Sequence, residues 1–179
     1  MTAHVTATTH TMVRVDIATE MASDVFQEAF ERAAPIFDPT TVLDITARGG
    51  SWDDVRAAVA ANAPNGLMIF TRIDATPLMS AAGHHTRAIE YLLGNHVVAE
   101  SMFRHDAKVL LYVPLRILIH DDANGDAIFT LDQPSTVLAG LDDSEITAVG
   151  AELDQKVAHL LDVIGVDANG VFSARERPS

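Results

Sequence analysis

The segment LDDSEITAVGAELDQKVAHLLDVIG, Leu141 to Gly165, constrains the fold more than any other. Ile146, Val149, Leu153, Val157, Leu160 and Ile164 recur with helical period over about five turns, and Gly165 is a natural stop. Asp142 and Glu145 have the spacing of a capping box, with Asp in place of Ser or Thr. A long helix with one apolar stripe must bury that stripe, and a sheet is the surface that accepts it. The rest of the chain is therefore expected to supply strands.

It does so in short pieces. TMVRVDIA alternates apolar and polar residues and reads as a strand. SDVFQEAFERAAP follows as a helix, with Ser23 as the expected N-cap, Phe26, Ala29, Phe30 and Ala33 on one face, and Pro35 closing it. TTVLDITA reads as a second strand. SWDDVRAAVAANAP reads as a second helix, capped by Ser51 with Asp54 in its first turn and with Val55, Val59 and Ala63 as its buried stripe. These two strand–helix units suggest a tandem duplication.

GLMIFTRI and RAIEYLLG are expected strands, and Asn95 is expected to cap a short helix from His96 to His105. Pro114 cannot donate to a ladder, so the next strand should open near Leu115. Asn124-Gly125 favours a tight primed turn between this strand and IFTLD. The same loop fails as a calcium site. With Gly125 at loop position six, His120 and Leu131 occupy the positions that need carboxylates. DANG at Asp167 to Gly170 suggests a small terminal hairpin, with disorder expected after Ala174.

The series RIDA, YLLGNHVVAESMFRHD, LYVPLRILIHDDANG and LDQPS, followed by the long helix, resembles the domain of unknown function 302 family over roughly Thr40 to Val166. The shared features are a Gly-Asn turn before a short helix, an apolar-Pro-apolar-Arg strand opening, an acidic pair before a glycine turn, and an Asp-x-Pro exit. The resemblance implies an α+β fold with a mostly antiparallel sheet and helices packed mainly on one face. It implies no reaction. His96 stands where the family pattern usually has proline, a residue that pre-sets φ at the first helical position. The expected organisation is an N-terminal strand–helix extension over residues 1–39, packed on a family-like domain over 40–166, with a tail over 167–179.

The formal net charge of −13 opposes nucleic acid and anionic membrane surfaces as partners. Without cysteine there is no thiolate chemistry, disulfide or Cys-based metal site. The polar start MTAHVTATTHTM lacks the pattern of a secretory signal, and no apolar run is long enough for a membrane helix. The expectation is a soluble, cytoplasmic protein.

Five histidines, His84, His85, His96, His105 and His120, fall within one stretch, but no H-x₃-H or H-E-x-x-H spacing occurs. No metal and no cofactor are expected. Nucleophile elbow, dinucleotide fingerprint and P-loop are all missing. Arg116, alone in an apolar strand, is expected to pair with Asp74 or Glu90, or to meet an anionic ligand group. His105 is read as a cation at a helix C-terminus or as an oriented base.

Three functional readings follow. The first is a pocket for a small, largely apolar ligand, lined by Met68, Phe70, Met79, Met102 and Phe129 and oriented by Arg116, His105 and Tyr112. The second is an enzyme using His105, Arg116 and an acid such as Asp74. The third is a homodimeric structural or interaction module.

Overall fold

The computed structural model describes residues 2–168 and 170–173. Five strands form one antiparallel sheet in the order β1-β5-β4-β3-β2. They are β1 (Arg14–Ala22), β2 (Met68–Asp74), β3 (Ala88–Gly94), β4 (Leu115–Asp121) and β5 (Asp126–Asp132). The helices are α1 (Ser23–Ala33), α2 (Thr40–Ala47), α3 (Trp52–Asn62), α4 (Thr76–Ala81), α5 (His96–Phe103), α6 (Pro134–Leu138) and α7 (Ser144–Ile164).

Alternation along the central strands sets the layering. Leu115, Ile117 and Ile119 of β4, Ile89, Tyr91 and Leu93 of β3, and Ala127, Phe129 and Leu131 of β5 are buried. Phe26 and Phe30 of α1 and Ile146, Leu153, Val157, Leu160 and Leu161 of α7 belong to the same core. Phe30 packs edge-on against Tyr91 at 5.0 Å, and Phe26 against Phe129 at 6.1 Å. The opposite face, with Asp16, Arg116, Leu118 and Thr130, is exposed or half-buried. The sheet thus carries its main helices on one face.

LDQPS acquires a clear role. Asp154 of α7 is only 7% exposed. Its carboxylate accepts the Ser135 backbone N–H at 3.0 Å, the Ser135 hydroxyl at 2.5 Å and the Gln133 side-chain amide at 2.7 Å. These bonds fasten the start of α6 to the middle of α7. Gly150, one turn earlier, lets the helices touch, since a Cβ there would lie 3.0 Å from the Ser135 Cα.

Four local expectations need correction. Thr40–Ala47 is a helix, so the second unit is helix–helix and the tandem strand–helix pattern is absent. The edge of β2 is taken by an earlier stretch: Ile36 bridges Ile69, and Phe37 N–H donates to the Ile69 carbonyl at 2.8 Å. α2 and α3 instead close a second small core of Phe37, Ile45, Val55, Val59, Ala63 and Met68. Ser23 is the first residue of α1 rather than its cap, and its hydroxyl donates to the Asp121 carboxylate. Asp143, not Asp142, caps α7 by accepting the N–H groups of Glu145 and Ile146, while Asp142 adopts φ 54°. The β4–β5 loop spans Asp122 to Gly125, with positive φ at Gly125 but not at Asn124. The Asp122 carboxylate braces it by accepting from Asn124 and Asp126 N–H.

Other local readings agree with the structure. Ser51 and Asp54 form a reciprocal capping box, Asn95 caps α5, and β4 opens at Leu115 after a cis Val113–Pro114 peptide. Val171–Ser173 is a short 3₁₀ turn; the terminal turn expected over Asp167 to Gly170 includes Asn169, which with the tail from Ala174 lies outside the described residues.

Candidate functional site

The Gly94-Asn95-His96 corner, where β3 passes into α5, builds an apolar hollow. Asn95 accepts the N–H groups of Val97 at 2.9 Å and Val98 at 3.3 Å, and its amide donates to the Gly66 carbonyl at 3.0 Å. One side chain thereby starts the helix and ties it to the β2 approach. Gly94 is required for close packing: a Cβ there would lie 2.9 Å from the Phe70 ring.

Between this corner, α5, β4 and α7 lies a cavity of about 320 Å³. Phe70, Leu93, Val98, Met102, Leu115 and Leu153 are among its apolar walls, and Asn95 and His96 are its polar lining residues. On the other side of His96 a shallower apolar recess of about 290 Å³ is lined by Phe37, Pro39, Val42 and Leu43. His96 and Phe70 line both hollows.

The His96 ring is held at 4.8 Å from Phe37 and at 4.8 Å from Phe70, centroid to centroid. Its Nδ1 is sealed from solvent and has no hydrogen-bond partner. Burial depresses the imidazole below its ordinary pKa, because the cation loses its hydration. The unfolded chain therefore binds more protons than the fold just below the unfolded value of about 6.5. This contribution to stability is complete above pH ~6.5 and is lost as pH falls through the folded value. His96→Leu should lack that decrease. In urea titrations between pH 7.5 and 5 the wild type should lose stability relative to the variant toward the acid end; parallel curves would show that His96 is not desolvated.

The residues expected to form a site are divided by the fold. Met102 and Phe70 line the cavity. Tyr112 and Arg116 line a separate, more polar hollow of about 260 Å³ with Met12, Leu92 and Asp132; the two hollows share Pro114 and Leu115. Phe129 is packed in the main core and Met68 in the small core, and neither lines these two hollows. Met79 lies exposed on α4.

Arg116 pairs with Glu90 at 3.0 Å, one of the two partners anticipated, but its side chain is 80% exposed. Such a cross-strand pair contributes about 0–1 kcal/mol. The His105 ring lies 3.8 Å from Asp143, beside the cap of α7, and Asp74 is bound by Arg72 at 3.2 Å. His105, Arg116 and Asp74 thus engage three different partners. Among the described residues no three His, Asp or Glu side chains come together as a metal cage, and no helix is long and apolar enough to cross a membrane.

A second polar cluster lies beside α1. The Glu31 carboxylate accepts from the Tyr91 hydroxyl at 2.6 Å, the Gln27 amide at 2.9 Å and Arg72 Nε at 3.1 Å. Burial alone would raise the Glu31 pKa, but these donors outweigh it and hold the carboxyl below its ordinary range. Burial and the Glu31 charge push the Tyr91 phenol upward, so it stays a donor. Each of these groups is paired, which suits a structural network joining α1 to β2 and β3.

The model of the family described as domain of unknown function DUF302 matches residues 44–164, which include this corner, the cavity and the Asp154 lock. The chain belongs to the DUF302 family. A solved structure agrees in fold: a DUF302 protein from Bacillus stearothermophilus, described as an uncharacterized conserved protein, superposes with a TM-score of 0.60 at 12% identity. The match covers 84% of this chain and 97% of that one. No curated protein matches the chain.

His96 is the site residue that sequence reasoning undervalued. Its signal in the sequence was its place directly after the Gly94-Asn95 turn, at the first position of α5. What the sequence could not show is that Phe37 and Phe70, from distant segments, enclose it.

Proposed function

We propose that this DUF302 domain binds a small, largely apolar molecule in the cavity between α5, α7 and the Gly94 end of β3, without fast chemistry. The observation that carries the reading is the cavity itself. Its volume of about 320 Å³ lies at the lower end of the ~300–1,000 Å³ common for ligand sites. Its walls are almost wholly apolar, with two polar residues at one end. Met102 supplies an adaptable surface. The absence of a nucleophile–base pair among the lining residues favours binding over catalysis.

A thermal-shift screen of uncharged metabolites and lipids tests this. A ligand at about a hundredfold excess over its Kd should stabilise the fold by about 2.7 kcal/mol. Ala99→Trp, which intrudes on the cavity, should abolish the shift, and Arg116→Leu, outside the cavity, should retain it. A hit unaffected by Ala99→Trp but lost with Arg116→Leu would move the site to the Tyr112 hollow.

The uncovered sheet face favours a second reading, a homodimeric module. Ile73 is 48% and Leu118 36% exposed on that face. Light scattering of the wild type and of Leu118→Glu distinguishes the two: a dimer that dissociates in the variant supports the module.

A further inference from the structure

We infer that the ligand carries an uncharged oxygen acceptor, held by the Nε2–H of His96 at the partition between the two hollows. This rests on the cavity reading above and names the chemistry that the site selects.

A neutral imidazole has one donor and one acceptor. Nδ1 is sealed and unpartnered, and among the described residues no hydrogen bond engages the ring; Nε2, likewise without a partner there, is not sealed as Nδ1 is. Orphaned buried N–H groups are rarer than under-satisfied acceptors. His96 is also the first residue of α5, where the positive end of the helix favours a lone pair over an added proton. The proton therefore belongs on Nε2, where a partner can reach it. Nδ1 keeps only its lone pair.

The surroundings exclude charge on that partner. No Lys or Arg lines either hollow. A carboxylate would leave water to meet a neutral donor among Phe37, Phe70, Val98 and Met102, in a protein of net charge −13. A ketone, ester, ether or alcohol oxygen accepts the same hydrogen bond without that cost. The remainder of the ligand, aliphatic or aromatic, fills the apolar walls.

The test uses three probes of similar shape on the full chain: acetophenone, isopropylbenzene and benzoate, titrated by calorimetry. Acetophenone should bind about tenfold more tightly than isopropylbenzene, the worth of one satisfied hydrogen bond. Benzoate should bind most weakly. In His96→Leu the acetophenone advantage should vanish while isopropylbenzene still binds. Nitrogen-15 spectra of the wild-type histidines give a readout that needs no variant: acetophenone should shift one protonated Nε2 resonance.

Equal or tighter binding of isopropylbenzene, or a preference for benzoate, overturns the inference and leaves the cavity reading intact. So does an acetophenone advantage that survives His96→Leu, or an imidazole protonated on Nδ1. No binding of any probe to the wild type sinks the cavity reading as well.

Discussion

Leu153→Asp should abolish cooperative folding. Leu153 is 2% exposed, lies in the middle of the α7 stripe and belongs to the main core. A carboxylate there loses its hydration and gains no cation. If it instead takes up a proton, it remains a polar group without a provided partner. The leucine packing is lost in either case, and that alone costs about 2–5 kcal/mol in buried Leu→Ala changes. Added to the desolvation penalty, the loss is comparable with the whole stability of a typical domain, about 5–15 kcal/mol. Circular dichroism and a urea titration would read the outcome. A variant melting with the wild type would show that α7 does not pack as described. Leu153→Met, which nearly preserves volume, should remain folded and cost under about 1.5 kcal/mol.

Asp154→Ala should be the next most damaging change, at about 2–4 kcal/mol, from donors left without their acceptor. The substitution removes a small side chain, so the effect is not about volume. The Ser135 N–H, the Ser135 hydroxyl and the Gln133 amide all lose the same acceptor. Gln133 keeps a bond to the Phe172 carbonyl at 3.1 Å, whereas the Ser135 N–H is left without this partner at the start of α6. Asp154→Asn should fall between wild type and Ala. It preserves shape but turns one acceptor into a donor that faces other donors. Urea midpoints of the three proteins would decide the order. A loss under about 1 kcal/mol for Ala would mean that α6 and α7 are held by apolar contact and by the close approach at Gly150, rather than by the carboxylate.

The effects differ in kind, and so does their visibility in the sequence. The Leu153 stripe is periodic and could be read directly. The Asp154 lock could not, because its donors lie about twenty positions earlier and only the α6–α7 packing brings them together. LDQPS is recognisable as a motif, but the reason for its serine and glutamine is tertiary.

Most of the architecture was legible because it is written within a turn or two of chain. The α7 stripe, the Ser51–Asp54 box, the Asn95 cap and the opening of β4 after Pro114 each depend on residues a few positions apart. Alternation in β3, β4 and β5 set which side chains face the core, so an antiparallel sheet with helices on one face could be expected. The helix at Thr40–Ala47 was not legible. Its threonines, valine and isoleucine suit a strand, but Ile36 already occupies the available edge of β2, and packing on α3 outweighs the local preference. The candidate site was legible only in part. Met68, Met102 and Phe129 are all apolar and buried in a core, and of the three Met102 also lines the cavity, a distinction set by neighbours from other segments. Arg116 was correctly drawn to Glu90, but its exposure depends on which face of the sheet the helices cover. His96 stood in plain view at an unusual position. Its sealed, unpartnered Nδ1 is a tertiary feature: folding brings Phe37 and Phe70, from distant segments, each to 4.8 Å from the ring.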